Sequence, residues 1–509
     1  MTTDFLKLFE AARRVSTPLI AVQTADPAAT IQALRASLAA AVPILAWDIV
    51  NGMRGVNTEG AQAFQALGVE QVTTTNLVEA LATALNLPED ALLFVANAQT
   101  VIRIQGVSQA VWNLRDPFKE SGRTLVLLTP PSGAQLPAEL QQDVFVMDEP
   151  LPSPGDLGAI VRETYAAGKL KAPAADVVEK CVDAVIGLAA FPAEQVCAMS
   201  LTGAGIDVKA LWERKRQVIE QAPGLSVFRG GETFADVGGC GNVKEFLRAA
   251  IAGEEAPRVV VFIDEIEKAL AGASGGGADS SGTSQEMLGT LLTEMQDQAY
   301  TGCIFIGPPG AAKSAIAKAV GAEAGIPTIA FDLSAMKGSL VGESGERLRS
   351  ALKVVRAVSQ GRALFVATCN RIASLPPELR RRFTFGTFFF DLPTAAERDL
   401  IWQIYLPKYK IAAASPLPDD EGWTGAEIKQ CCVIASRLRI GLVKAASYVV
   451  PVAKAAADDI ERLRLQASGK FVSASAPGLY RHDTTAAAPA AGPSKRRIVT
   501  TAQLKGDSN

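Results

Sequence analysis

Residues 304–314 read Ile-Phe-Ile-Gly-Pro-Pro-Gly-Ala-Ala-Lys-Ser and lead into a helical pattern, Ala315 to Ala324. An apolar strand, a glycine-rich loop and a helix in that order make a phosphate cradle. Unpaired backbone N–H groups and the helix dipole both face an anion there. Gly307, Pro308, Pro309, Gly310, Ala311 and Ala312 would supply the backbone of the cradle. Lys313 would reach β- and γ-phosphates, and Ser314 would hold Mg²⁺ through its hydroxyl. Ala312 stands where the pattern G-x-x-x-x-G-K-[ST] has glycine. Its methyl group is expected to crowd the backbone near the phosphates and to weaken binding.

Three further clusters belong with such a loop. Val259-Val-Val-Phe-Ile263 reads as a buried strand that ends in Asp264 and Glu265. Asp264 is suited to orient the hydration shell of Mg²⁺, and Glu265 to polarise an attacking water. Ala363-Leu-Phe-Val-Ala-Thr-Cys369 is a second buried strand and ends in Asn370. That amide can bond both a γ-phosphate and the water. Arg380, Arg381 and Arg382 precede Phe383 and fit charge stabilisation of a transferring phosphoryl group, at a neighbouring subunit's site. The alternative for the arginines is a surface salt-bridge cluster.

Composition excludes other chemistries. The sole histidine, His482, lies in a polar stretch, which argues against a histidine triad, a His-rich zinc site or a histidine relay. Seven cysteines at irregular spacing, with no C-x-x-C, read as reduced thiols of a cytoplasmic protein. Cys431-Cys432 read as packing residues, and Cys369, beside Asn370, as a buried small hydrophobe or a redox-sensitive thiol. The net charge of -3 argues against a wholly basic nucleic-acid coat. Neither a signal peptide nor a membrane span is expected.

The elements that must carry these residues follow from the apolar pattern of 509 residues. Residues 1–166 alternate apolar runs (Leu19–Val22, Ile44–Trp47, Ala91–Val95, Thr124–Leu128, Val144–Met147) with helical segments. This predicts a parallel α/β sheet, here without a phosphate loop. Asp148-Glu149 is expected in a solvated turn. Residues 167–222 read as a helical subdomain, 223–393 as the α/β block with the phosphate loop, 394–465 as a helical lid and 466–509 as a disordered tail. Lys495-Arg496-Arg497 in the tail reads as solubilising or as a nucleic-acid contact.

Together these motifs resemble the AAA family of ring ATPases, with Gly425 and Ala426, ahead of Glu427, resembling its lid motif. A closer similarity is to the AAA-like hypothetical chloroplast reading-frame family of chloroplasts and cyanobacteria. It is carried by Trp47-Asp-Ile49, Leu136-Pro-Ala-Glu139, Asp236-Val-Gly-Gly239, Ile263-Asp-Glu-Ile-Glu-Lys268, Val341-Gly-Glu-Ser344, Leu375-Pro-Pro-Glu378 and Phe390-Asp-Leu-Pro393. The resemblance covers most of the chain except the tail. It implies an AAA-type parallel sheet with a lid, a degenerate ATPase-like N-terminal domain, ATP and Mg²⁺ as ligands, and a ring of six.

One feature departs from the family, where the phosphate loop precedes the acidic strand. Here Asp264 comes before Lys313. We expect permuted connectivity with the site kept, the Asn370 strand lying between the other two. The rival is an Asp264-Glu265 pair far from the loop and no efficient hydrolysis. The resemblance implies a polymer-gripping loop at Leu340-Val-Gly342, without the aromatic of many threading members. The run Ala271 to Ser284 reads as a mobile pore-facing loop or a surface insertion. Remodelling of a protein substrate is favoured. A nucleic-acid motor or loader and a nucleotide-dependent scaffold are the alternatives.

Overall fold

The computed structural model describes residues 3–130, 136–269, 283–336, 343–371 and 376–482. The chain divides into two compact units, Met1–Lys215 and Arg216–Asn509. The expected loops at Leu340–Gly342 and, but for its last residues, Ala271–Ser284 fall outside the described residues, as does the Lys495–Arg497 cluster.

Unit one holds β1 (Leu19–Gln23), β2 (Ile44–Asp48), β3 (Gly52–Gly55), β4 (Leu92–Val95), β5 (Thr124–Thr129) and β6 (Phe145–Asp148) in one sheet. The strand order is β3-β2-β4-β5-β1-β6, parallel except where β3 pairs antiparallel with β2. Its apolar runs are continuous because both faces are covered. Leu19 and Ala21 pack into one cluster, and Ile20 and Val22 into another. Strand β3, Gly-Met-Arg-Gly, has no apolar run to announce it. Helices Pro154–Ala167, Ala175–Val185 and Ala190–Met199 follow, with the small hairpin β7 (Leu201–Thr202) and β8 (Gly205–Ile206). The helical part begins at Pro154, where Ser153 and Asp156 form a capping box, and so well before residue 167.

Unit two is built on β9 (Leu225–Val227), β10 (Val259–Ile263), β11 (Thr301–Ile306), β12 (Thr328–Phe331), β13 (Ala363–Cys369), β14 (Thr387–Phe389) and β15 (Val472–Ser473). The order is β15-β14-β11-β13-β10-β12-β9, with only β9 antiparallel. Strand β13, which leads to Asn370, therefore lies between the acidic strand β10 and the phosphate-loop strand β11. Its register aligns their carboxyl ends, with Ile263 opposite Ala367 and Ile306 opposite Cys369. Alternation along β10 feeds two cores. Val259, Val261 and Ile263 pack with residues of helices Thr283–Asp297 and Glu343–Ser359. Val260 and Phe262 pack with residues of Gly241–Ala252 and Lys313–Ala324.

A separate core joins Trp402, Trp423, Ile428, Cys431 and Cys432 across helices Ala395–Lys408, Gly425–Leu438 and Leu442–Ala446. Trp402 Nε1 donates to Asp420 Oδ2 at 2.9 Å, and Arg398 Nε lies 3.0 Å from Asp420 Oδ1. Adjacent Cys431 and Cys432 are both buried packing residues.

The end of the chain departs from expectation. Helix Ala457–Ala467 sends Leu463 and Ala467 into the core of the sheet, not into the lid. Residues 466–482, expected within the disordered tail, are folded. Phe471 and Tyr480 are buried in the same core, and β15 pairs with β14. Small and polar residues between Phe471 and Tyr480 hid this segment, because they break up the apolar pattern.

Candidate functional site

The carboxyl ends of β10, β13 and β11 meet at one cleft of about 380 Å³. Asp264, Glu265, Pro309, Gly310, Ala311, Ala312, Lys313, Ser314, Thr368, Asn370, Gly425 and Ala426 all line it. Gly307 and Pro308 lie behind the lining, and their carbonyls accept from Lys313 Nζ at 2.8 and 2.7 Å. Arg380, Arg381 and Arg382 do not line it; they sit on the helix Pro377–Arg382.

The acidic pair is fixed from the neighbouring strands. Ser314 Oγ donates to Asp264 Oδ1 at 2.9 Å. Thr368 Oγ1 donates to the same oxygen at 2.6 Å and accepts the Glu265 N–H at 2.9 Å. Glu265 has φ 47°, in the left-handed region that a side chain rarely adopts. Its Oε1 accepts from Asn370 Nδ2 at 2.9 Å, and its Oε2 forms an ion pair with Lys268. Buried Glu267 accepts the Asn370 N–H at 2.9 Å. Thr368 and Glu267 were not singled out in the sequence. Both sit inside the quoted motifs, and only the register shows what they hold.

Lys313 is 6% exposed. Burial lowers its pKa to about 8, against the pull of Cys369, Glu267, Asp264 and Glu265. Cys369 is fully buried and its thiol is pushed well up, chiefly by burial and then by Glu267. It is a packing group, since reactivity needs a thiolate.

Ala312 caps the helix Lys313–Ala324 at φ 67°, ψ 8°. The glycine of the loop pattern serves this left-handed turn, so the main penalty of alanine is backbone strain, not crowding. Gly307 is required for space: a Cβ there would stand 2.1 Å from Phe390 O. Other cleft residues are Asp236, Val237, Gly238, Asp391, Glu397, Lys429 and Ser475. Glu427 faces elsewhere. It caps its helix through Thr424 and binds the Val452 N–H.

The oxygen donors Ser314 and Asp264 suit Mg²⁺, which takes one or two protein ligands and completes its shell with phosphate and water. Among the described residues no group of three His, Cys, Asp or Glu could hold a metal. In unit one the end of β1 is closed by its own polar groups. Thr24 and Thr30 hydroxyls lie 2.7 Å apart, and Thr30 Oγ1 donates to Glu149 Oε2 at 2.6 Å. Glu149 is thus tied into the fold, unlike the solvated turn expected.

Ala312→Gly should raise thermal stability by about 1 kcal/mol, because relief of left-handed strain exceeds the entropy glycine adds to the unfolded chain. Equal or lower unfolding free energy would show that the strain lies elsewhere.

Comparison with known families agrees with this geometry. Residues 4–149 match the SpoVK-like AAA ATPase N-terminal domain, and residues 303–361 match the AAA family, "ATPase family associated with various cellular activities". The AAA domain-containing protein ycf46 of Gracilaria tenuistipitata var. liui is 24% identical over 406 residues, 69% of this chain and 74% of that protein. Its namesake in Guillardia theta is 21% identical over 536 aligned positions, 93% of this chain and 97% of the other. The ATP-dependent zinc metalloprotease FtsH of Karelsulcia muelleri is 26% identical over 195 residues, 29% and 32% of the two chains. The chain carries AAA ATPase domains and is a homologue of the ycf46 AAA domain-containing proteins of plastids.

Proposed function

We propose that the chain binds ATP with Mg²⁺ in this cleft and hydrolyses it as a subunit of a ring that remodels a protein substrate. The observation that carries the reading is the 2.9 Å bond between Ser314 and Asp264. They follow strands β11 and β10, which are not neighbours in the sheet, and they meet where a phosphate-bound cation belongs. The AAA match begins at Cys303 and stops before the Asn370 strand. The acidic strand lies upstream of that match. This supports reading the connectivity as a permutation of the family order.

Each residue then has a task. The loop N–H groups and Lys313 hold the triphosphate. Ser314 and Asp264 would hold Mg²⁺, which neutralises charge on the phosphates. Glu265 would accept a proton from the attacking water after exchanging its Asn370 and Lys268 contacts. Asn370 would orient that water. The Arg380–Arg382 helix lies off the cleft of its own chain, which supports delivery to a neighbour and hence a ring, with six as the expected number. Among the described residues no helix is long and apolar enough to cross a membrane. A cytoplasmic site of action accords with the free thiols.

Turnover should vanish in Lys313→Ala. In Glu265→Gln it should fall by about 10²–10⁴-fold, the usual worth of a general base, with ATP still bound. Specific activity should rise with protein concentration. ATP binding without turnover in the native protein would instead favour a nucleotide-gated scaffold, in which Lys268 and Asn370 keep Glu265 from the water. Stimulation by nucleic acid and not by protein substrates would favour the motor or loader.

The depressed pKa of Lys313 gives a pH test. Between about 8 and the ordinary 10.5 the ligand-free site holds a neutral lysine. A bound triphosphate restores the proton, so binding takes one up. Affinity should fall through pH 8, approaching about tenfold per pH unit above it. The sign for folding is opposite. In that window the unfolded chain binds the extra proton, so this lysine's penalty on ligand-free stability fades as pH rises. Calorimetric titration at pH 7 to 9.5 reads both affinity and proton uptake. A flat affinity without proton uptake would show that Lys313 keeps its proton in the ligand-free site.

A further inference from the structure

Residues 468–482 form a strap that closes on itself. Gly469 N–H donates to Tyr480 O, and Tyr480 N–H to Phe471 O, both at 2.8 Å. Ala474 N–H donates to Phe389 O at 2.9 Å, continuing the β15–β14 pairing. The strap then reaches the start of helix Gly241–Ala252. Val243 N–H donates to Ala474 O at 3.0 Å, and Asn242 Nδ2 to Ser473 O at 2.7 Å. That helix has Cys240 at its N-cap, with φ 56° and no side-chain cap bond. Free N–H groups at a helix start need acceptors, and the strap carbonyl of Ala474 supplies one.

The next strap residue lines the cleft. Ser475 and Glu397 line the same cleft, and Glu397 Oε1 accepts the Cys240 N–H at 3.0 Å. Burial alone would raise the Glu397 pKa. The polar groups around it, with bonds from Thr394 and Cys240 among them, outweigh burial and keep the carboxyl below its usual range. Asp391, also on the cleft wall, accepts from Tyr480 Oη at 2.7 Å and from Arg464 Nε at 2.9 Å.

We propose that residues 468–482 are a clamp on the nucleotide site: they fix the Asp236–Cys240 wall and Glu397, and Ser475 completes that wall. The proposal rests on reading the cleft as the ATP site. Its consequence is reciprocal, because any factor by which the clamp tightens nucleotide must equal the factor by which nucleotide tightens the clamp. A strand that merely extends the sheet would show no such coupling.

Amide hydrogen exchange on the full chain, with and without a non-hydrolysable ATP analogue and Mg²⁺, tests it. Peptides covering Val243 and residues 468–482 should exchange at least about tenfold more slowly with the analogue bound, while β4 of unit one stays unchanged. Analogue binding without protection of the strap overturns the clamp and leaves the ATP reading standing. No binding at all overturns both. Ala474→Pro removes the N–H that reaches Phe389 and should weaken analogue binding about tenfold, whereas truncation after His482 should leave it unchanged. Native affinity in a folded Ala474→Pro chain would count against the clamp. If that variant does not fold, exchange on the native chain still decides.

Discussion

Thr368 Oγ1 stands between the two acidic residues that follow β10, donating to Asp264 Oδ1 and accepting the Glu265 N–H. A hydrogen bond to a charged group is worth about 1.5–3 kcal/mol, and an unmet buried donor is penalised by a similar amount. This bridge is possible only because β10 and β13 run parallel with Ile263 opposite Ala367. A slip of one residue would turn Thr368 to the other face and leave Asp264 with Ser314 but without Thr368. The cleft therefore depends on register before it depends on any single side chain.

Register also explains why the order of the chain need not matter. A parallel sheet is held by pairing between neighbouring strands, and each pair is indifferent to which strand was made first. Crossover helices must only be long enough to span the step. Helix Thr283–Asp297 fills the path from β10 to β11, and helix Glu343–Ser359 the path from β12 to β13. Both pack on one face, with Met287, Leu291, Leu348 and Leu352 in a common core. The two connections that skip a strand thus stabilise each other. The chain order β10, β11, β12, β13 is thus compatible with a sheet in which β13 lies between β10 and β11.

Legibility of the sequence follows the same physics. Central strands were readable because they are buried on both faces and so are unbroken apolar runs. The loop 307–314 was readable because its pattern is contiguous in the sequence. Pairings that rest on backbone alone left no such mark. Strand β3 is Gly-Met-Arg-Gly, and β15 lies in a stretch of small residues whose bonds are made by main chain. Glu267 and Thr368 were hidden for another reason. Their partners, Asn370 N–H and the Asp264 carboxylate, are distant in sequence and close only once β10 and β13 are paired. The helices Ala395–Lys408 and Gly425–Leu438 were legible in their apolar pattern, but the pattern of helix Ala457–Ala467 does not say that its Leu463 and Ala467 join the sheet core.

Three non-glycine residues at the cleft, Cys240, Glu265 and Ala312, have left-handed backbone. Each such conformation costs about 1–2 kcal/mol, and so persists only where its surroundings over-determine it. For Glu265 those surroundings are visible: the Thr368 hydroxyl on its N–H, Asn370 on one carboxylate oxygen and Lys268 on the other. For Ala312 they are the buried Lys313, anchored on two loop carbonyls, and Gly310 packed so closely on Thr424 that a Cβ would lie 2.7 Å from its hydroxyl. Strain at the loop and strain at the acidic strand are thus held by different contacts, from the lid side and from the sheet side. A ligand that bridged Ser314 and Asp264 would act on both at once.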